Sequence, residues 1–310
     1  MITIVGAGLA GTLAALEAER NNRDFVVVDQ GAGATATRAA AGLFNPLTGP
    51  RFTPGPAGWN RLNPFYRELE QRLGVGFFHP IPLWRPWTGA KVGPQDFPRR
   101  GPGWKAEVGA AQGQPGVWIE GGGWIDLPTL LDAALARWQR QDRWEDRRFS
   151  PGEGRGQRVL WAGGLADFTT VWAGVPSVDG RWQGVRGDVL PVNIPGLTQD
   201  WVEVGPRFLL PLSSKQGQGK LFRWGATHES DVVDQGFRPE AKTLLERELH
   251  TRLQGMPWEL VDHRWGVRPA SRTGAPLVIR HPDEAQWTLF NGFGGRGTSL
   301  IPLALDQLVW

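Results

Sequence analysis

The chain has 310 residues, enough to bury a full core and to hold two domains, and its 40% hydrophobic and 21% charged residues are those of a soluble globular protein. Lys and Arg number 34 against 31 Asp and Glu, a net charge of only +3 with no run of five or more basic residues, so nucleic acid is not an expected partner. Cysteine is absent, which excludes disulfides, thiolate catalysis and zinc-finger sites.

The first stretch organises the rest. Ile2 to Val5, the turn Gly6-Ala7-Gly8-Leu9-Ala10-Gly11, an Ala- and Leu-rich run from Thr12 to Arg20, and Phe25-Val26-Val27-Val28-Asp29 read as strand, glycine turn, helix, strand and terminal acid. In a dinucleotide site each piece has a task. Gly6 permits the turn, Gly8 lets a pyrophosphate approach the backbone, Gly11 lets the helix lie close on the sheet, and the helix N-terminus offers free N–H groups. Asp29 is placed to accept hydrogen bonds from ribose hydroxyls and would repel a 2′-phosphate, which disfavours NADP. By itself the stretch suits NAD and FAD equally. Because the motif begins at residue 2 and no apolar run reaches ~18 residues, a cytoplasmic protein with no leader and no membrane span is expected.

After Gln30 comes a stretch, Gly31 to Gly42, in which almost nothing is larger than Thr. It suits an ordinary Ala helix, or a helix and loop on which a flat ring system lies close to the backbone. Asn45-Pro46 and Thr48-Gly49-Pro50 mark a turn, and Asn63 with Pro64 caps and starts a helix that runs to Leu73. From Phe77 to Trp118 the texture is Pro, Gly, Trp and short β-like runs, the first visit to a second, β-rich domain. Gly121 to Gly123 lead through Trp124 to a helix from Thr129 to about Gln141, and Arg158 to Gly164 reads as a short buried strand of the first domain. A second β-rich block, about Val175 to Asp262, holds candidate strands at Val185 to Leu190, Phe208 to Leu212 and Leu221 to Thr227 and a helix from Pro239 to Leu253. Trp265 to Ala270, Trp287 to Gly292 and a closing helix from about Thr298 then return to the first domain. Seventeen tryptophans and a single tyrosine, Tyr66, mean that aromatic bulk is supplied with few phenolic hydroxyls to orient a ligand.

These residues, in this order, resemble the FAD-dependent amino-acid oxidase family that includes D-amino acid oxidase, glycine oxidase and sarcosine oxidase. The resemblance spans nearly the whole chain. It rests on Gly6 to Gly11, the small residues through Ala41-Gly42, Gly122-Gly123-Trp124-Ile125-Asp126, Ala162-Gly163, Arg186-Gly187, Gly225-Ala226-Thr227-His228-Glu229, Gly266-Val267-Arg268-Pro269 and Gly292-Phe293-Gly294-Gly295-Arg296-Gly297. It implies an α/β plus β fold: a discontinuous, Rossmann-like FAD-binding domain (1–76, 121–174 and 263–310) and an antiparallel-sheet substrate domain (77–120 and 175–262). FAD held non-covalently would contact Gly6, Gly8, Leu9, Ala10, Gly11, Asp29, Gln30, Thr37, Arg38, Ala41, Gly42, Ala162, Gly163, Gly292, Gly294, Gly295, Arg296, Gly297 and Thr298. With no cysteine, a cysteinyl flavin link is excluded.

By the same resemblance Arg268 binds the substrate carboxylate. A guanidinium offers two parallel donors and stays charged at any working pH; the structural alternative is a salt bridge between strand and helix. The loop Gly292 to Gly297 is expected to pass the pyrimidine edge of the flavin, where a helix dipole favours negative charge on reduction, with Arg296 either adding charge there or facing solvent. Members of the family that bind amino acids usually add tyrosines to the site, whereas this chain has only Tyr66, near the FAD half. Trp224, His228 and Trp265 are candidates to wall the cavity instead, His228 equally well a surface residue.

The expected reaction is oxidative deamination: an amine held by Arg268 passes a hydride from its α-carbon to flavin N5, and the imine hydrolyses in water. This needs geometry and a neutral amine rather than a strong protein base. The expected partners are a small amine substrate and oxygen as the default electron acceptor, with a dehydrogenase passing electrons to another carrier left open. Two alternatives stay open: a flavoprotein acting on a larger amine such as a modified tRNA base, and a non-catalytic flavin-binding protein.

Overall fold

The computed structural model describes residues 1–31, 36–49, 51–55, 57–87, 91, 93, 95, 99–212 and 221–309. Residues 32–35 of the small-residue stretch lie outside the described residues.

The apolar runs Ile2–Val5 (β1) and Phe25–Asp29 (β2) pair in parallel, and β1 pairs in parallel with Arg158–Trp161 on its other side. Continuous hydrophobic strands of this kind suit a parallel sheet buried on both faces. The sheet has six strands, in the order Trp144–Asp146, β2, β1, Arg158–Trp161, Trp287–Asn291 and Leu277–Arg280, with only the last antiparallel to its neighbour. Helix α1 (Leu9–Arg20) covers one face. It is alanine-rich and buried on nearly every side, so it packs tightly without the side-chain entropy that longer residues lose. The four-residue α2 (Ala36–Ala39) follows β2.

Helix α3 (Trp59–Leu73) begins four residues before the expected Asn63, with Gly58 at its cap and Pro64 inside it. The Asn-Pro pair looks like a start signal, but Leu62, Tyr66 and Leu69 form one buried stripe that recruits another turn ahead of the proline. Helix α4 (Leu127–Arg140) also starts earlier than expected: Asp126 caps it, accepting from the Thr129 hydroxyl at 2.8 Å.

The second sheet has eleven strands around one long strand, Trp182–Asn193. Its partners are antiparallel: Leu221–Gly225 and Glu229–Ser230 on one side, Glu259–Leu260 and Arg264–Ser271 on the other. Phe208–Pro211, Val202–Val204, Leu83–Pro86 and the hairpin Trp104–Ala111/Gln114–Ile119 extend it, with one parallel pairing between Val202–Val204 and Leu83–Pro86. Arg264–Ser271, expected in the first domain, is instead paired along its whole length with Trp182–Asn193. Sequence order misled here because the chain leaves this sheet only after the strand, at Ser271.

Directly opposed residues share a face of a sheet. Leu190, Val192, Leu209, Phe222 and Trp224 therefore form one face, covered by Leu245, Leu249 and Leu253 of α6 (Pro239–Leu253). Burying each of those leucines contributes about 2 kcal/mol. The other face carries Arg268, Gly187, Gly266, Val189, Gly225 and Phe208 and looks toward the first sheet. Helices α5 (Leu165–Thr169) and α7 (Gly297–Ala304) complete the wall between the sheets. Among the described residues no helix is long and apolar enough to cross a membrane.

Candidate active site

Three parallel strands of the first sheet end in glycine turns at one edge: β1 at Gly6, Arg158–Trp161 at Gly163-Gly164, and Trp287–Asn291 at Gly292. Ligands of open α/β sheets bind outside such strand ends. A cavity of about 460 Å³ runs from this edge to the second sheet. Gly6 takes φ +98°, and a Cβ there would lie 2.5 Å from the Ala162 carbonyl oxygen; a Cβ on Gly11 would lie 1.8 Å from that of Gly6. The turn thus closes only without side chains, which aims the N-terminus of α1 into the cavity.

At that terminus the Leu9 N–H donates to Thr37 Oγ1 at 3.1 Å. The N–H groups of Ala10 and Gly11 have no acceptor among the described residues, so they are available to an anion. Asp29 lines the cavity while accepting from the Ala7 N–H at 2.7 Å and the Gly31 N–H at 3.0 Å. A carboxylate has about four acceptor positions, so it keeps capacity for hydroxyl donors.

Opposite, Gly294, Gly295, Gly297 and Thr298 bring the start of α7 to the cavity. Pro302 has no N–H to give the Thr298 carbonyl four residues earlier. Tyr66, fully buried, supplies the missing donor: its hydroxyl donates to that carbonyl at 2.7 Å. Burial pushes the phenol far above its ordinary pKa, so it stays protonated. The single tyrosine is a support for the glycine loop and does not line the cavity.

Arg268 closes the far end. It lies across Gly187, and a Cβ at Gly187 would come within 1.6 Å of Nη2; Nη1 is 3.1 Å from where a Cβ of Gly295 would sit. The guanidinium is therefore seated between the sheet and the glycine loop, in space that two missing side chains leave. It makes no hydrogen bond or ion pair with any described residue. Burial lowers its pKa from the ordinary arginine value, opposed weakly by the charge of Asp188. Around it the wall is Val189, Phe208, Ala226, Gln235 and Phe293. Among the described residues lining the cavity Asp29 is the one acid and Arg268 the one base.

Of the residues expected at the cofactor, Gly6, Gly8, Leu9, Ala10, Asp29, Thr37, Ala41, Gly42, Ala162 and Gly163 line this cavity together with the α7 residues. Gly11, Gln30, Arg38, Gly292 and Arg296 stand off it. Gln30 is exposed, Arg38 pairs with Asp132 of α4 at 2.5 Å, and Arg296 donates to the Gly274 carbonyl at 2.7 Å. Two expected wall residues are on the wrong face. The Trp224 indole donates to the Leu245 carbonyl under α6, and that of Trp265 to the Gln235 carbonyl. His228 lines a neighbouring crevice with Arg207 and Phe237; burial and the nearby Arg268 charge lower its pKa. Val189, Phe208, Gln235 and Asn291 were missed. Strand alternation could have found Val189 and Phe208 had the register been known. Gln235 sits in a loop with no pattern of its own.

The glycine turns, the free N–H groups and the acid that ends β2 fit a dinucleotide, and the neutral small-residue walls leave room for a flat ring system. No group of His, Asp or Glu among the described residues could hold a metal ion. In structural comparison the chain is similar to iminodiacetate oxidase from Chelativorans sp. BNC1 (TM-score 0.72, 20% identity, covering 99% of this chain and 93% of that one). It is also similar to glycine oxidase from Geobacillus kaustophilus (0.71, 17%, 98% and 92%) and to L-proline dehydrogenase from P. horikoshii (0.71, 11%, 98% and 91%). These likenesses show the fold. A family model described as FAD dependent oxidoreductase, DAO, matches residues 1–305. The chain belongs to the DAO family of FAD-dependent oxidoreductases.

Proposed function

We propose that this oxidoreductase deaminates a small amine that carries a carboxylate. The observation that carries the reading is Arg268: a half-buried guanidinium in the cavity wall with no counter-ion among the described residues. A cation so placed is under-satisfied, and a carboxylate supplies what it lacks. The structural alternative, a strand-to-helix salt bridge, has no acid to complete it among the described residues. FAD, held by the Gly6 to Ala10 turn, Asp29 and the Gly294 to Thr298 segment, would supply the two-electron acceptor for the hydride that leaves the substrate's α-carbon. The protein's part is to bind and orient. Arg268 fixes the carboxylate end, while Val189, Phe208 and Phe293 exclude water and face the rest of the substrate. With no acid in this half of the cavity, an ammonium finds no partner, which favours the neutral amine that hydride loss requires. The start of α7 directs its dipole at the cavity, favouring negative charge there.

Non-covalent attachment of FAD, oxygen as the acceptor, and a substrate-binding part built on the second sheet belong to the same proposal. Iminodiacetate oxidase and glycine oxidase act on carboxylated amines by name, which supports it. The test is an anaerobic flavin-bleaching screen of carboxylated amines against their decarboxylated counterparts. Bleaching by members of the first group, at much lower concentration than by the second, is expected. Equal bleaching by both removes the carboxylate from the account.

A further inference from the structure

Asp167, on α5, is a carboxyl that the proposed reaction leaves unused. It is only 2% exposed. Its Oδ2 accepts two hydrogen bonds, from the Gly163 N–H at 2.8 Å and from Asn291 Nδ2 at 3.0 Å. Asn291 also donates to the Gly164 carbonyl at 2.8 Å and accepts from the Gly292 N–H at 2.8 Å. The pair therefore clasps two of the three glycine turns that wall the cavity. Oδ1 has no hydrogen-bond partner among the described residues and lies 2.5 Å from where a Cβ of Gly163 would be. That glycine in turn presses on the first turn, its Cα 2.7 Å from where a Cβ of Gly6 would be.

No charged side chain faces this carboxyl from the Arg158–Trp161, Trp287–Asn291 or Arg264–Ser271 strands, nor from α5 itself. Its surroundings are the Gly163 amide, the Asn291 amide and apolar packing. A buried carboxylate without a cation is costly, and the cost is relieved by holding a proton. Both donors engage Oδ2, so Oδ1 is the oxygen left to hold it. Burial raises the carboxyl to a pKa of about 7.

We propose that Asp167 couples FAD binding to proton uptake, the carboxyl behind the Gly163 turn becoming neutral when the cofactor's pyrophosphate arrives in front of it. This rests on the reading of the cavity as the FAD site. A dianionic pyrophosphate at the Gly6 turn, against which Gly163 packs, would repel a second negative charge on the far side of Gly163. The same repulsion, seen from the cofactor, weakens binding whenever Asp167 is ionised. The clasp geometry needs only the Oδ2 acceptor, so Asp167→Asn mimics the protonated form when its Oδ1 faces Gly163 N–H and Asn291.

The experiment is a titration of apoprotein with FAD, followed by flavin fluorescence, at pH 6.0, 7.0, 8.0 and 8.5. It is paired with calorimetry in buffers of different ionisation enthalpy, which counts protons in the unaltered protein. The dissociation constant is expected to rise about sevenfold from pH 6 to pH 8.5, as a one-unit upward shift of the carboxyl on binding requires. Calorimetry is expected to show net proton uptake near neutral pH. Asp167→Asn is expected to bind at the acid-limb affinity with no pH slope. A flat profile in the unaltered protein, proton release, or an unchanged slope in Asp167→Asn would overturn the proposal. Failure to bind FAD at any pH would overturn the cofactor reading itself and this inference with it, whereas tight binding without a proton overturns this inference alone.

Discussion

Arg186 and Arg268 stand on neighbouring strands of the second sheet, one register step apart and on opposite faces, yet they end in opposite electrostatic states. Arg186 is fully buried and closed: its Nε and Nη2 reach the two oxygens of Asp188 at 3.0 and 2.9 Å, and Nη1 donates to the Gly236 carbonyl at 2.6 Å. Asp188 is shared further, accepting from the Thr227 hydroxyl at 3.0 Å and lying 3.1 Å from His263 Nε2. Arg268 has the same guanidinium but is half-buried, and its donors meet only the cavity. The difference separates a cation that completes the fold from one that the fold leaves incomplete. A protein tolerates the second kind where a ligand finishes it.

The contrast breaks most visibly at Arg186. Arg186→Met leaves Asp188 buried without its main partner and is expected to cost about 3–5 kcal/mol of folding stability, read from urea unfolding of the apoprotein. A loss below about 1 kcal/mol would mean that the Asp188 network does not lock the sheet.

Arg268→Met is the mirror experiment. Because no protein group depends on this guanidinium, stability is expected to stay within about 1 kcal/mol of the parent, while kcat/KM for a carboxylated amine falls about a hundredfold. If unfolding shows a loss as large as at Arg186, the two arginines are alike and the open reading is wrong.

Gly187→Ala sharpens the comparison without touching either charge. The new methyl occupies the seat of Nη2. The expected result is a KM about tenfold higher for carboxylated amines, with FAD affinity unchanged. An unaltered KM would show that the guanidinium reaches its ligand from elsewhere.

Tyr66→Phe acts on the other side of that seat, by removing the donor to the Thr298 carbonyl that Pro302 cannot satisfy. A stability loss of about 1 kcal/mol is expected in thermal or urea unfolding. No measurable loss would mean that water or a shifted turn takes over the bond.

What could be read in advance follows the same division. The dinucleotide half was legible because its signal is local: Gly6, Gly8, Gly11 and Asp29 fall within one strand–helix–strand unit, and each answers a constraint set by its immediate neighbours. Arg268 was legible only through family resemblance, since nothing local distinguishes it from Arg186. Its meaning depends on Gly187, Gly295 and the absence of an acid, three facts spread over more than a hundred residues of chain. The strand Arg264–Ser271, expected in the first domain, pairs in the second sheet for a related reason. Pairing register with Trp182–Asn193 is a long-range choice that sequence periodicity does not encode. Trp224 and Trp265 were misplaced because a strand's two faces look alike until one is covered, here by α6 and by the Gln235 loop. Asp167 carried a faint signal, an acid inside the apolar run Leu165-Ala166-Asp167-Phe168, which is unusual for a buried turn of helix.

Arg268 as an open seat for a carboxylate can be tested directly. Titration of the FAD-loaded protein with acetate and benzoate, followed by the change in flavin absorbance, tests this without turnover. The parent is expected to saturate, and Arg268→Met to bind at least a hundredfold more weakly while its flavin spectrum before titration is unchanged. Equal affinity in the two proteins would contradict the account.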